Sequence, residues 1–226
     1  MAAMAAPEQA MSAAVVGVRG PDRRLAWALW IIVSTLGAGL GAIPAWEIRS
    51  LVLGGPVSVQ QLVVYAATVL SALILAGAQW LVLRRYRLDV LWWVPATVGA
   101  NLLAVTIVVP AVVGLGLRGR VSTLNSDTPV IFGAVTLATW GLVIGTAQAL
   151  VFRKTIGDVA WLWLPATLLA YALAGGVTSA LSPTLFGAVI RYRLPVFMVV
   201  SLADAVGALL TSICQAPLLA RLIRST

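Results

Sequence analysis

Histidine is missing from all 226 residues. Its absence removes the commonest metal and haem ligand and the usual proton shuttle near neutral pH, and it excludes a bis-His haem carrier. Acidic residues number only seven. Of these, Asp204 alone lies within an apolar run, so a carboxylate-bridged metal site or a paired-carboxylate acid/base site has nothing to be built from. The single cysteine, Cys214, gives neither a disulfide framework nor a thiol pair. Neither catalytic residues, nor metal ligands, nor a cofactor are therefore expected.

What fills the chain instead is apolar: 61% hydrophobic against 10% charged residues, too few charges for a soluble domain of this length. The formal charge of +8 would suggest nucleic acid in a soluble protein. Here the basic residues sit in short clusters between apolar runs, which makes them orientation signals, and no nucleic-acid partner is expected. Residues 1–24 read as a flexible cytoplasmic tail with no cleavable leader, and residues 25–226 as a transmembrane domain. Six apolar runs follow, at about Leu25–Ile43, Leu62–Leu83, Val90–Pro110, Pro129–Phe152, Val159–Leu181 and Leu194–Leu219. Each approaches the roughly 20 residues that cross a hydrocarbon core as a helix. An outer turn holding Pro44 and Glu47, a polar loop over 118–128 and a loop over 182–193 are expected between them. Ten Lys or Arg fall on the side of the tail, the 84–87 turn, Arg153, Lys154 and the C-terminus, and five fall on the other. Both termini are accordingly placed in the cytoplasm. Trp27, Trp30, Trp80, Trp92, Trp93, Trp161 and Trp163 then all lie near cytoplasmic helix ends and read as an interfacial belt.

The heptapeptide Gln79-Trp80-Leu81-Val82-Leu83-Arg84-Arg85 returns as Gln148-Ala149-Leu150-Val151-Phe152-Arg153-Lys154 and again from Gln215 to Arg221. Counting back from each Gln matches Trp30 to Thr35, Trp92 to Thr97 and Trp161 to Thr167, with one insertion in the last. The fold expected is an all-α transmembrane bundle of six helices. It is built from three two-helix repeats at about 25–87, 88–156 and 157–226, arranged about a pseudo-threefold axis.

Gln79 and Gln148 lie about 7 to 8 Å of helix rise inside the first basic residue of their copies, which puts the amide within the cytoplasmic third of a bilayer, and Gln215 takes the corresponding place in the third copy. Two readings stay open for them: hydrogen bonds between helices, or a polar vestibule on the axis. Asp204 lies about 15 Å of helix from the outer end, where an ionisable group costs at least about 2.5 kcal/mol to insert. Asn101 sits at a similar depth, so a contact with Asp204 is allowed, with Ser201, Thr211 or Ser212 as local alternatives. The pair reads either as structural hydrogen bonding or as a transport site. Gly37, Gly39, Gly41, Ala72, Ala76, Gly77 and Gly175-Gly176 allow close helix approach, with docking of the first helix on another subunit as the rival reading.

Gly77-Ala78-Gln79-Trp80-Leu81-Val82-Leu83-Arg84 followed by Trp92-Trp93 resembles a set of uncharacterised bacterial integral membrane proteins. Their repeats read approximately Gly-x-x-Gln-Trp-Leu-Val-Leu-Arg, with a Trp and a Thr- and Gly-containing helix after a short turn. Gly145-Thr146-Ala147-Gln148 keeps the Gly spacing without the Trp. The resemblance implies no activity. The leading expectation is a non-enzymatic accessory or scaffold subunit of a larger membrane complex in the bacterial inner membrane, with lipids and other membrane subunits as partners. A lipid or pigment ligand stays open. The alternative is a small-solute or ion transporter with a midplane site at Asp204 and Asn101.

Overall fold

The computed structural model describes residues 23–52, 54–86, 90–112 and 128–222. Among them every regular element is helical. The order is α1 (Arg23–Ser50), α2 (Val57–Arg85), α3 (Trp93–Leu103), a π turn (Ala104–Val108), α4 (Val109–Val112), α5 (Thr128–Ile156), a 3-10 segment (Gly157–Leu162), α6 (Trp163–Tyr192) and α7 (Val196–Leu222). Helices satisfy every main-chain donor and acceptor internally, the requirement a bilayer imposes. Four stretches are long and apolar enough to cross one: Arg24–Ser50, Val57–Arg85, Pro129–Tyr192 and Val196–Arg221. The third holds both α5 and α6, and Trp93–Val108 is a shorter apolar helix. The chain is a multi-pass membrane protein.

Side-chain size decides how these helices close. Each long helix packs on the two beside it in the ring α1, α2, α3, α5, α6, α7 and back to α1. Small residues face the seams. A Cβ on Gly37 would stand 3.3 Å from Leu75 and one on Gly41 3.2 Å from Ser71, both on α2, while Gly39 faces Ala205 of α7 at 3.3 Å. All three α1 glycines thus face helices of the same chain. Contact is closest between α5 and α6. A Cβ on Gly133 would overlap the Ser179 hydroxyl, one on Gly175 the Gly133 carbonyl, and one on Gly141 would lie 2.6 Å from Tyr171 Cβ. Large side chains such as Leu36, Leu40, Leu62, Leu169 and Leu173 point outward and are exposed, as a lipid-facing surface requires.

Two expected loops are helix. The outer turn predicted from Pro44 begins later, because α1 runs through Pro44 to Ser50; the chain reverses near Gly54, where φ is +88°. The loop predicted over 182–193 is the last part of α6, which runs through Pro183 to Tyr192 and ends at Arg193 with φ 52°. A proline inside a helix removes one hydrogen bond and strains the preceding turn, yet neither Pro44 nor Pro183 ends its helix. At Pro110 the adjustment is visible: its ring would crowd the Thr106 carbonyl, and the helix widens into the π turn at that point. The Thr106 hydroxyl there donates to the carbonyls of Leu102 at 2.9 Å and Leu103 at 3.0 Å. Residues 1–22 of the expected tail (1–24), most of the 118–128 loop and the basic residues Arg87 and Arg224 lie outside the described residues, and Arg23 and Arg24 begin α1.

Candidate functional site

The basic end of the ring is closed by aromatic rings. Trp30, Trp93 and Trp163, each 0% exposed, start α1, α3 and α6 within the first turns and point to the axis. Their ring centroids form a triangle of 6.0, 5.8 and 6.1 Å with every pair edge to face, the arrangement the aromatic quadrupole favours by about 0.5–1.5 kcal/mol per pair. Phe152 packs on two of them at 5.0 Å, and Leu83 and Leu219 complete the plug. The interfacial belt read from the sequence is corrected accordingly. Trp27, Trp92 and Trp161 are exposed and Trp80 is half-buried under the Arg84 guanidinium at 5.2 Å, but the other three form the plug.

One helical turn above the plug, the same bond is made three times. The Gln79 amide donates to Ser34 Oγ at 3.0 Å, Gln148 to Thr97 Oγ1 at 3.2 Å and Gln215 to Thr167 Oγ1 at 2.9 Å. Each acceptor stands four residues after a plug tryptophan, one turn along the same face. The structure thus matches Trp30 with Ser34, Trp93 with Thr97 and Trp163 with Thr167 at one spacing; Thr97 and Thr167 are the threonines expected, while Ser34 takes the place expected of Thr35, and Trp93 and Trp163 those expected of Trp92 and Trp161. All six polar residues are buried. The layer is not equivalent in its second bonds. Trp163 Nε1 donates to Gln148 Oε1 at 2.8 Å, whereas Gln79 Oε1, Trp93 Nε1 and Trp30 Nε1 are buried with no hydrogen-bond partner among the described residues.

Above this floor α1, α2, α3, α5, α6 and α7 line a partly open cavity of about 500 Å³. Much of its lining is small, with Ala38, Ala42, Ala72, Ala174, Gly207 and Ala208 leaving the space open. Gln79, Gln148, Gln215, Asn101 and Asp204, all singled out in the sequence, line this one space. Asn101 and Asp204 do not bond to each other. Asn101 donates to the Thr97 carbonyl at 2.8 Å and accepts from Trp140 Nε1 at 3.1 Å. Of the local alternatives for Asp204, the Thr211 and Ser212 hydroxyls donate to their own helix at Gly207 (2.9 Å) and Ala208 (2.7 Å), and Ser201 Oγ is buried without a partner among the described residues, so none bonds to Asp204. The Asp204 side chain is exposed, and the surface it reaches is the cavity.

The residue that sequence reasoning passed over is Arg49, counted there only as an outer-loop charge. Because α1 continues past Pro44, Arg49 sits in its last turn and lines the same cavity as Asp204. The two do not form an ion pair: the one within 4.0 Å among the described residues is Arg153 with Asp158, at 3.3 Å on the surface. Arg49 Nε is buried and lacks a hydrogen-bond partner among the described residues. A signal for it existed: Arg49 is the only basic residue between the first two apolar runs. The site is thus a partly open cavity with a hydrogen-bonding floor, a lining rich in small residues and one charge of each sign away from that floor. Comparison with protein-family models, with curated proteins and with solved structures found no match.

Proposed function

We propose that this protein binds a small polar solute in its central cavity and moves it across the membrane. The accessory or scaffold reading rested on a scarcity of polar groups inside the bundle. What favours the transporter is that the few present converge: amides, hydroxyls, a carboxylate and a guanidinium line one cavity of about 500 Å³, a volume suited to a small ligand. The six spans, the three helix-pair repeats and the cytoplasmic termini belong to the same proposal. They are supported by the threefold recurrence of the Gln–hydroxyl bond and the tryptophan triangle, and by the distribution of basic residues. In the bacterial inner membrane the cavity then opens outward and the plug faces the cytoplasm.

Accessibility from the two sides tests this. Ala208→Cys, in a Cys214→Ser background, is treated with a membrane-impermeant charged methanethiosulfonate in right-side-out and inside-out vesicles. Modification from the Arg49 end, extending to the plug end when the floor is broken by Gln148→Ala, is the expected result. No modification from either side in either background would mean a dry, sealed interior, and the scaffold reading would then be preferred.

A further inference from the structure

The cavity holds two opposite charges that do not neutralise each other. Arg49 presents a guanidinium with five donors in a fixed fork, and its Nε is buried with no acceptor among the described residues. A buried charged donor without a partner is costly, and such groups are retained where something arrives to satisfy them. Asp204 reaches the same space from α7, the helix packed beside α1. The gap between the two exceeds an ion-pair distance, because Arg153–Asp158 is the only pair that closes among the described residues.

That arrangement discriminates by charge. A simple anion drawn to Arg49 meets the Asp204 carboxylate, and a simple cation drawn to Asp204 meets the guanidinium. A metal cation finds one carboxylate and a repelling neighbour. A molecule carrying both charges satisfies both residues at once and brings no net charge into the bundle. Its uncharged body has room below, where Ala42, Ala72, Ala203 and Ala208 leave the space and the Ser71 and Thr178 hydroxyls also line it. We infer that the ligand of this cavity is a small zwitterion, its carboxylate taken by Arg49 and its ammonium by Asp204. The inference rests on the solute-binding reading above and names the class of solute.

The test uses the full chain purified in mild detergent and isothermal titration with four zwitterions of increasing charge separation: glycine, β-alanine, 4-aminobutanoate and 5-aminopentanoate. Butanoate and butylammonium serve as single-charge controls. At least one amino acid is expected to bind about tenfold or more tightly than both controls, and Arg49→Gln and Asp204→Asn are each expected to weaken it about tenfold or more. Melting temperatures of the ligand-free variants should stay near that of the parent. The zwitterion assignment is overturned, with the cavity reading intact, if a control binds as well as the best amino acid, or if no probe binds while Ala208→Cys is modified from the Arg49 end. It is also overturned if each single variant lowers the ligand-free melting temperature and the double variant restores it, since the two residues would then serve each other. Absence of both binding and modification removes the solute-binding reading as well.

Discussion

Gln79 and Gln148 look interchangeable in the sequence, and replacing each by leucine should separate them sharply. Gln148→Leu deletes two bonds, the one to Thr97 at 3.2 Å and the one from Trp163 at 2.8 Å. Interhelical side-chain bonds in membranes contribute about 1 kcal/mol or less each. The deletion also strands the Trp163 N–H, which is 0% exposed, and a buried donor left without an acceptor costs about 1–3 kcal/mol. Thr97 escapes that penalty because its hydroxyl can turn back to a carbonyl of its own helix. The total is a loss of about 2–4 kcal/mol. Gln79→Leu deletes one bond, to Ser34 at 3.0 Å, and at the same time removes an Oε1 that is buried without a partner among the described residues. Those two effects oppose each other, so the net change should lie within about 1 kcal/mol. Reversible unfolding in mixed micelles of dodecyl sulfate and a mild detergent, followed by circular dichroism, measures both. A double-mutant cycle of Gln148→Leu with Trp163→Phe, which keeps a ring in the plug, should give a coupling of about 1 kcal/mol. Equal losses for the two glutamines, or no coupling, would refute the bonding pattern assigned to the floor.

The α5–α6 seam makes Gly133→Ala and Gly175→Ala strongly destabilising, since each added Cβ meets backbone or Ser179. Gly77→Ala and Gly99→Ala, with nothing within 4 Å of the added atom, should be neutral or stabilising by up to about 1 kcal/mol; melting temperatures in detergent decide both. Acrylamide should quench Trp92 but not the plug, so Trp92→Phe lowers the quenchable share of fluorescence and Trp163→Phe raises it. A pattern in the opposite sense would return Trp163 to the lipid interface. Asp158→Asn breaks a surface pair whose side chains are 54% and 86% exposed, and unfolding should move by less than about 0.5 kcal/mol.

Apolar run length was enough to place most of each long helix, because the bilayer leaves a helix few alternatives. Helix ends were less legible. A turn was expected around Pro44 and a loop over 182–193, and prolines do stop helices in water, where a turn finds other partners; here the helices continue for several residues beyond Pro44 and Pro183. The floor was half legible. Gln79, Gln148 and Gln215 were recognised from their recurrence beside basic residues, but Trp92-Trp93 and Trp161-Leu162-Trp163 each offered two tryptophans. Choosing between them needs rotation about the helix axis, and the four-residue spacing to Ser34, Thr97 and Thr167 is the cue that selects Trp30, Trp93 and Trp163. Asp204 was found because a carboxylate in an apolar run is conspicuous. Arg49 was not, because its position depends on α1 outlasting its proline. The asymmetry among the three tryptophan nitrogens leaves no trace in the sequence at all, since it turns on rotamers within one packed cluster.

The three Gln–hydroxyl bonds join α1 to α2, α3 to α5 and α6 to α7, so each lies between consecutive long helices of the chain. During synthesis a glutamine entering lipid alone would carry an unsatisfied amide. Here the hydroxyl that meets it has already been inserted, 45, 51 or 48 residues earlier. Each hairpin can therefore leave the insertion machinery with this polar side chain already partnered, whereas the link between Trp163 and Gln148 must wait for hairpins to meet. The order of the chain is in this sense an assembly schedule: polar groups are neutralised as they arrive, and closure of the ring is left to rings and small residues that lipid tolerates in the meantime.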